Sequence, residues 1–300
     1  MTFLEEAETS IQDLAQRIGG AVVGVGHRWA VGSGVVLEDG KVLTNAHNLR
    51  GKDVEITFDD GRTATGRATG VDVDGDVAVV SVDTGGATPI EWPRNGSGVG
   101  IGAPVFALSN PGGRGLRVTL GFVTGTERSF RGPRGRRITG SIEHTSPLLP
   151  GSSGGPVVDR AGRLVGVNTN RLGEGFYLAI PADEDLKERV DALGRGEAPT
   201  RARLGVGIAP SEVAQGLRRA VGLPEAEGLL VRLVEEGSAA AGAGLAEGDL
   251  IIEAAGRSVT TPDELHEALD SVTGEGVIEL KLLRGTEART ASVAFGAATE

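Results

Sequence analysis

The sequence predicts a mainly β protein with two domains: a first unit of short strands in an antiparallel barrel or sandwich, and then a smaller α+β module. Three observations carry this prediction. The chain has 300 residues, a length typical of about two domains. It contains 49 glycines and only 3% aromatic residues, a composition that suits short strands joined by many turns. Short apolar runs bounded by turn signals recur along most of the chain.

The N-terminal segment, residues 1–20, predicts a helix. Its apolar residues fall near one stripe with helical spacing, formed by Phe3, Leu4, Ile11, Leu14 and Ile18. A signal peptide would need a basic start and an apolar core, and this segment has neither. No run of about 18 apolar residues predicts a transmembrane helix. We therefore expect a cytoplasmic protein from the chain as given, or an extracytoplasmic one if the N-terminus is incomplete.

Residues 21–190 form the first predicted domain. Its strand-like runs include AVVGVG, DVEITF, DVAVVSVD, APVFALSN and RLVGVNTN. Turn pairs such as Asp39-Gly40 and Asn110-Pro111 separate them. Many short strands at this spacing are typical of an antiparallel barrel or sandwich. The helical pattern ADEDLKERVDAL closes the domain, and the polar stretch at residues 191–203 is interpreted as a linker.

Residues 204–297 form the second predicted domain, an α+β module. Strand patterns such as LGVGIAP, GDLIIEAAG and GVIELKLLRG surround a helix pattern, TPDELHEALDSV. Thr260 or Thr261 is suited to cap that helix, and Pro262 suits its first turn.

Composition and charge exclude several functions. The formal net charge is −11 and the isoelectric point is about 5.0, which argues against general nucleic-acid binding. The chain has no cysteine, so a disulfide framework, a zinc site with thiolate ligands and a cysteine nucleophile are excluded. We expect no cofactor and no metal.

The motif GSSGGP, residues 151–156, is the strongest chemical signal. A phosphate-binding loop would need a lysine and a helix directly after the glycines, and neither follows. Two other patterns favour a nucleophile instead: His47 follows an apolar strand, and Asp76 precedes one. The chain order His, Asp, Ser is one of the orders known for the serine triad. Asp72 and Asp74 are rivals for the acid, and Ser152 rivals Ser153 as nucleophile.

These residue types suit acyl transfer. A serine hydroxyl is a weak nucleophile near neutral pH, so an adjacent imidazole must take its proton as the new bond forms. A carboxylate must hold the imidazole in the right tautomer and stabilise the imidazolium. Glycines around the serine allow backbone N–H groups to point at the developing oxyanion, and losing one such donor typically costs about 3–4 kcal/mol in the barrier.

The combined motifs resemble the HtrA family of trypsin-like serine proteases with a C-terminal PDZ domain. The matching stretches are GSGVVLEDGKVLTNAH, DVDGDVAVV, LSNPGG, PGSSGGPVVD, FYLAIPAD and, in the second unit, GSAAAGAGLAEGDLIIEAAGRSV. The resemblance implies two six-stranded β-barrels with the site between them, followed in the sequence by an α+β PDZ domain. It implies Ser153 as nucleophile, His47 as general base and Asp76 as the orienting carboxylate. It further implies an oxyanion hole formed by the N–H groups of Gly151, Ser152 and Ser153.

The resemblance also implies partners. Unfolded or misfolded proteins are the expected substrates of an ATP-independent endopeptidase, with their backbone paired to a strand near Asn168 to Asn170. Peptide C-termini are the expected PDZ ligands, held by a carboxylate loop at Arg203, Leu204, Gly205 and Val206 beside the helix from Pro262. No nucleic acid and no membrane span are expected, and a homotrimer is a further expectation. The alternative function is a non-catalytic peptide-binding or chaperone scaffold that retains the fold.

Several residues depart from the family pattern. Ser152 stands where asparagine is usual, Asn48 where an apolar residue is common, and Thr145 and Leu149 replace a usual aspartate and asparagine. The loop at residues 147–149 has no carboxylate to pair with a basic substrate side chain, so an apolar or small residue before the cleaved bond is expected. His27, His144 and His266 are interpreted as surface or turn residues, with a secondary role of His144 as an alternative.

One loop concentrates positive charge in this acidic chain. Residues 129–140, SFRGPRGRRITG, contain four arginines, Arg131, Arg134, Arg136 and Arg137. Two interpretations stay open. The loop is either a solvated hairpin, or a relay that couples PDZ occupancy to the Ser153 site through acids of the second unit, with a coupling that salt would weaken.

Overall fold

The structure is a computed structural model, and it describes residues 3–26, 31–38, 40–93, 98–133, 136–173, 175–197, 202–272 and 276–295. The chain divides into two compact units, Met1–Pro199 and Thr200–Glu300. Within the described residues, none of the helices is both long and apolar enough to cross a membrane.

The first unit opens with helix α1, Phe3–Ile18, whose first turn carries Glu5 and Glu6. Acidic side chains in this position favour the helix because they complement the positive end of its dipole. Leu14 is fully buried and joins the main core of the unit, and Ile11 and Ile18 pack partly against it. The part of the predicted apolar stripe formed by Ile11, Leu14 and Ile18 therefore anchors this helix, and the side chains of Phe3 and Leu4 lie outside the described part of the structure.

The first barrel is a closed ring of six short strands. They are β1 (Val22–Val25), β2 (Gly32–Leu37), β3 (Lys41–Thr44), β4 (Asp53–Thr57), β5 (Thr63–Asp72) and β6 (Val77–Ser81). Their order is β1-β2-β3-β6-β5-β4, and antiparallel pairing of β1 with β4 closes the ring. Closure leaves no unpaired sheet edge, and the valine-rich runs fill the interior.

The second barrel repeats this architecture. Its strands are β7 (Pro104–Ser109), β8 (Arg117–Arg131), β9 (Arg137–His144), β10 (Pro156–Val158), β11 (Leu164–Gly173) and β12 (Phe176–Pro181). Their order is β10-β11-β12-β9-β8-β7, and β10 pairs with β7 to close the ring. The fold class is therefore the double β-barrel of trypsin-like proteases. The sequence pattern alone left a sandwich open, and the fully paired rings decide for barrels.

Helix α2, Glu184–Gly194, follows the second barrel and packs back on β5 and β6 of the first. Asp183 caps it by accepting a hydrogen bond from the Leu186 N–H at 2.8 Å. The helix lies so close to β5 that a Cβ at Gly70 would be 2.5 Å from the Leu193 carbonyl oxygen. Glycine is therefore required at this contact, which ties the two barrels together through α2.

The second unit is an α+β module around one sheet. The strands are β13 (Val206–Ala209), β14 (Leu229–Val234), β15 (Asp249–Ala254), β16 (Arg257–Ser258), β17 (Val277–Arg284) and β18 (Glu287–Ala294). The sheet order is β13-β14-β15-β17-β18, with β16 paired to β15. The helices are α3 (Ser211–Ala220), α4 (Ala239–Gly242) and α5 (Pro262–Asp270). Helix α5 is capped by Thr261 rather than Thr260, because Thr261 and Glu264 form a reciprocal capping box.

Candidate active site

A cleft of about 480 Å³ in the first unit brings together the residues that the sequence analysis singled out. His47 and Asp76 come from the first barrel, where they follow β3 and precede β6. Ser153 comes from the second barrel, three residues before β10. All three line the cleft, together with Gly151, Ser152, Asn168 and Asn170.

His47 lies in a short 3-10 turn, Ala46–Asn48, that ends β3. Its Nδ1 is 2.9 Å from both carboxylate oxygens of Asp76, and its backbone N–H donates to Asp76 Oδ1 at 3.1 Å. An ionised carboxylate only accepts hydrogen bonds, so Nδ1 carries the proton and Nε2 of the neutral ring is left as an acceptor. This is the tautomer that a general base requires.

Asp76 is buried and held from several sides. Its side chain accepts a hydrogen bond from Thr169 Oγ1 at 2.6 Å, and its backbone carbonyl accepts one from Asn45 Nδ2 at 2.9 Å. Its φ of 54° is left-handed, a conformation that aspartate tolerates better than most residues. Of its rivals, Asp72 directs Oδ1 to the Gly75 N–H at 2.9 Å and lies 3.7 Å from Arg189 Nε. Neither Asp72 nor Asp74 lines the cleft.

The backbone of Ser153 is fixed by the first barrel. Its carbonyl oxygen accepts hydrogen bonds from the Ser33 N–H at 2.8 Å and from Asn48 Nδ2 at 2.9 Å. The next residue, Gly154, has φ +89°, and a Cβ there would lie 2.1 Å from the Ser33 carbonyl oxygen. Glycine is thus required at position 154 for two reasons: a side chain would collide with the Ser33 backbone, and the backbone φ is positive.

The hydroxyl of Ser153 donates to the Thr169 carbonyl oxygen at 3.0 Å. Within the described part of the chain, no hydrogen bond joins it to the His47 ring. The structure therefore holds a resting arrangement, from which the hydroxyl must turn to reach Nε2. Hydrogen bonds of this kind contribute only about 1 kcal/mol net, so the rotation is inexpensive.

The three predicted oxyanion donors differ in whether their N–H groups already form a hydrogen bond. The Ser152 N–H, which the sequence analysis counts as one of three donors, already donates to the Leu149 carbonyl oxygen at 3.1 Å within the turn. The N–H groups of Gly151 and Ser153 donate to no described residue. The Ser152 hydroxyl is also buried and donates to Ser109 Oγ at 3.1 Å, which turns it away from His47.

The comparisons with known proteins agree with this geometry. The family model described as a trypsin-like peptidase domain matches residues 32–167, and the one for the PDZ domain matches residues 230–284. A solved structure of the HtrA-type protease AlgW with a tripeptide is 27% identical with a TM-score of 0.63, covering 95% of this chain and 96% of that chain. The putative serine protease HhoA of Synechocystis is 32% identical, over 85% of this chain and 67% of that protein. The chain belongs to the HtrA family.

Other HtrA-type relatives are longer than this chain. The putative serine protease HhoB of Synechocystis is 34% identical over 80% of the chain, and the match spans 60% of that protein. A probable periplasmic serine endoprotease, DegP-like, of Halomonas elongata is 31% identical over 90% of the chain, and the match spans 57% of that protein. The chain thus spans about three fifths of the length of these relatives.

Asn48, a departure from the HtrA pattern, has a visible contact. Its side-chain amide donates to Thr44 Oγ1 at 3.0 Å and to the carbonyl oxygen of Ser153. An apolar residue at this position could make neither bond. Asn48 therefore ties the turn that carries His47 to the backbone of Ser153.

Sequence reasoning missed Thr169. The sequence places it only inside the expected substrate-pairing strand Asn168 to Asn170, yet its hydroxyl donates to Asp76 and its carbonyl accepts from Ser153. A threonine inside a strand is ordinary by composition, so only the fold shows that it touches both ends of the site. Asn168 differs from the prediction too, because its own N–H and carbonyl are taken by Gly155 and Gly154.

The interpretation of His144 as a surface or turn residue is wrong. Its side chain is fully buried, Nε2 is 3.0 Å from Asn168 Oδ1, and Nδ1 accepts from the Ser146 N–H at 3.3 Å. Burial lowers the pKa of His144 from 6.5 to about 4, although the hydrogen bond with Asn168 opposes this shift. His27 lies outside the described residues, and His266 is half-buried.

We expect His144 to make folding sensitive to acid. Its pKa is lower in the folded protein than in the unfolded chain, so the unfolded chain gains a proton first as the pH falls from about 6.5 to about 4. The free energy of unfolding should drop by up to about 3 kcal/mol across this window, at about 1.4 kcal/mol per pKa unit. Urea unfolding of wild type and His144→Gln at pH 7 and pH 4.5 measures this effect. Equal losses of stability in both proteins would contradict it.

The arginines of the loop at residues 129–140 lie in different environments. Arg131 lines the cleft, Arg136 is buried, and Arg137 Nε donates to Ser129 Oγ at 3.0 Å. Arg134 lies outside the described residues. The relay to the second unit stays a prediction.

Proposed function

We propose that the protein is an ATP-independent serine endopeptidase that cleaves unfolded or damaged proteins. Ser153 is the nucleophile, His47 the general base and Asp76 the carboxylate that orients it. The observation that carries this proposal is the pair of 2.9 Å contacts between His47 Nδ1 and Asp76, in the same cleft as the Ser153 hydroxyl. The opposing hypothesis, a non-catalytic scaffold, has no comparable observation in its favour.

The reaction proceeds in two steps. The Ser153 oxygen attacks the substrate carbonyl carbon, and its proton passes to His47 Nε2. The C–N bond then breaks as His47 returns the proton to the leaving amine, which leaves an acyl group on Ser153. A water molecule attacks this ester, gives its proton to His47 and releases the acid, and the serine recovers its proton.

Two backbone donors stabilise the charge on the tetrahedral intermediate. The N–H groups of Gly151 and Ser153 belong to the same turn, and their freedom from other described partners supports this role. The turn is held by Ser33, whose hydroxyl donates to the Gly151 carbonyl oxygen at 2.9 Å. Donors that are fixed before the reaction need no reorganisation as charge develops.

Substrate binding helps to turn the Ser153 hydroxyl. An extended substrate can pair with β11 only beyond Asn168, whose backbone groups are already bonded. The Thr169 carbonyl is then the first acceptor that the substrate meets. A substrate N–H bonded to this carbonyl competes with the Ser153 hydroxyl and favours its rotation toward His47.

Covalent labelling tests the proposed chemistry. A fluorophosphonate probe should label the wild-type chain at Ser153, and the chain should degrade casein without ATP. The label should be mapped to its residue by peptide mass spectrometry. A labelled Ser152, or a failure of labelling and casein cleavage even with activating peptides present, would contradict the proposal.

The second unit binds peptide C-termini in this proposal. β13 lies at one edge of its sheet, where a peptide strand can be added. Gly205 has φ +75° just before β13, and the N–H groups of Leu204 and Gly205 donate to no described residue. Arg203 is not needed as a counter-charge, because its Nη2 already donates to Glu235 Oε1 at 2.6 Å. The carboxylate is therefore held by backbone N–H groups at the start of β13, including that of Val206.

We expect this site to distinguish a free carboxylate from an amide. Hydrogen bonds to charged groups contribute about 1.5–3 kcal/mol, so amidation of a peptide C-terminus should weaken binding by roughly tenfold or more. Fluorescence anisotropy with a matched pair of peptides, one with a free acid and one with an amide, measures the difference. Equal affinity for the two peptides would remove the carboxylate loop from the proposal.

Location and assembly are the remaining parts of the proposal. A cytoplasmic protein is the expectation from the sequence, and the periplasmic relative supports an extracytoplasmic alternative. A homotrimer stays a prediction.

A further inference from the structure

The cleft lining contains more arginine than acidic side chains. Two arginines line it: Arg131, at the end of β8, and Arg171, on β11. Asp76 is the only acid among the described lining residues, and it is buried and bonded to His47 and Thr169. Of the two arginines, Arg171 forms no ion pair with a described residue, so it brings a positive charge to the cleft of a chain whose net charge is −11.

Apolar and aromatic residues form much of the remaining lining, beside the glycines and the polar residues of the Ser153 turn and of β11. They are Phe130, Pro133, Leu148, Leu149, Pro150 and Tyr177. Leu149 is 51% exposed, so apolar surface is available to a ligand there. Apolar walls exclude water and strengthen the field of nearby charges. A ligand that combines apolar groups with a carboxylate matches this lining best.

Arg171 is held in one orientation. Its Nε donates to the Gly173 carbonyl oxygen at 2.8 Å, and its guanidinium lies 6.0 Å from the centre of the Tyr177 ring. It forms no ion pair with a described residue. The two Nη groups are left to bind a carboxylate, which a guanidinium can grip with two parallel hydrogen bonds.

The strand position of Arg171 fixes where this carboxylate should lie. Arg171 follows Thr169 by two residues on β11, and the Thr169 carbonyl is 3.0 Å from Ser153 Oγ. Two strand residues span about 7 Å. In an antiparallel pair, moving forward along β11 means moving backward along the substrate. The matching side chain thus lies about two residues before the residue whose carbonyl is attacked.

We infer that this cleft selects substrate segments that carry an acidic side chain about two residues before the residue at the cleaved bond. The inference rests on the proposed protease function and names its substrate class. Arg171 is the specificity-determining residue. An apolar or small residue at the cleaved bond remains compatible, because Arg171 acts further along the substrate.

Internally quenched peptides test the inference. Three peptides should differ only at this position, with Glu, Gln or Lys. At low salt we expect kcat/KM to be about twofold to fivefold higher for Glu than for Gln, and lowest for Lys, since exposed ion pairs have effects of this size. The preference should shrink as salt is raised, because exposed charges are screened.

Substitutions of Arg171 test whether this residue causes the preference for the Glu peptide. Arg171→Gln should bring the ratio of kcat/KM for the Glu and Gln peptides close to one, because both peptides are compared on the same variant. Arg171→Lys should retain part of the preference because it keeps the charge. Arg160→Gln is the matched control, since Arg160 is exposed in a turn outside the cleft lining and its loss changes the net charge equally. Thermal unfolding of each variant checks its fold.

The outcomes separate this inference from the proposed function. If the wild type cleaves the Gln peptide but does not prefer Glu, the selectivity is wrong and the protease function stands. If no peptide is cleaved, the protease function fails. Anisotropy of the same peptides on Ser153→Ala still measures charge selection, and equal binding of the Glu and Lys peptides there would overturn it.

Discussion

Replacing Ser153 with alanine should lower kcat/KM for peptide hydrolysis by about six orders of magnitude, the size of loss typical when a serine protease loses its nucleophile. The variant keeps the Gly151 and Ser153 N–H groups, so it should still bind substrate and retain a trace of rate above that in water. The hydroxyl's hydrogen bond to the Thr169 carbonyl is lost, but the turn stays anchored because Ser33 and Asn48 bond the carbonyl of residue 153. The fold and the substrate affinity should therefore survive.

Ser152→Ala is the matched control for this experiment. Its hydroxyl bonds Ser109 at the end of β7, so its removal should change kcat/KM by less than about tenfold. Steady-state kinetics on one quenched peptide compares the two variants. If Ser153→Ala retained wild-type turnover and Ser152→Ala lost it, the nucleophile would be the neighbouring serine.

Much of the architecture was readable from the sequence because its signals are local. The apolar runs, the turn pairs and the α5 cap each depend on residues a few positions apart. The short motifs around His47, Asp76 and Ser153 also marked these residues as candidates, and the structure brings the three into one cleft. The choice between barrel and sandwich was not readable, because it depends on pairings such as β1 with β4 that no local pattern reveals.

The misses involve contacts that are distant in sequence or specific to one turn. Thr169 reaches Asp76 across 93 positions, and nothing in the run VNTN marks it. An isolated histidine beside a loop gives no sign of burial in the sequence, yet His144 is fully buried at the end of β9. Glycine-rich turns supply N–H groups, which predicts Ser152 as an oxyanion donor, and only the backbone geometry shows that its N–H is already bonded.

Changing Asp76 to asparagine should lower kcat by about four orders of magnitude while the fold is retained. Three donors meet at this side chain: His47 Nδ1–H, the His47 N–H and the Thr169 hydroxyl. A carboxylate accepts all of them, but an asparagine amide turns an NH₂ group toward one of them. The histidine can relieve this clash by moving its proton to Nε2, and that tautomer cannot accept the proton of Ser153.

The measurement is single-turnover kinetics of wild type and Asp76→Asn on one quenched peptide, with fluorophosphonate labelling as a second readout. Labelling should slow with turnover, because it requires the same activated hydroxyl, whereas peptide affinity should hold. Asp72→Asn is the matched control: it removes an equally buried carboxylate that bonds Gly75 instead of His47, so kcat should stay within about tenfold of wild type. A loss below tenfold for Asp76→Asn would exclude Asp76 as the orienting group and make Asp72 and Asp74 the next carboxylates to test.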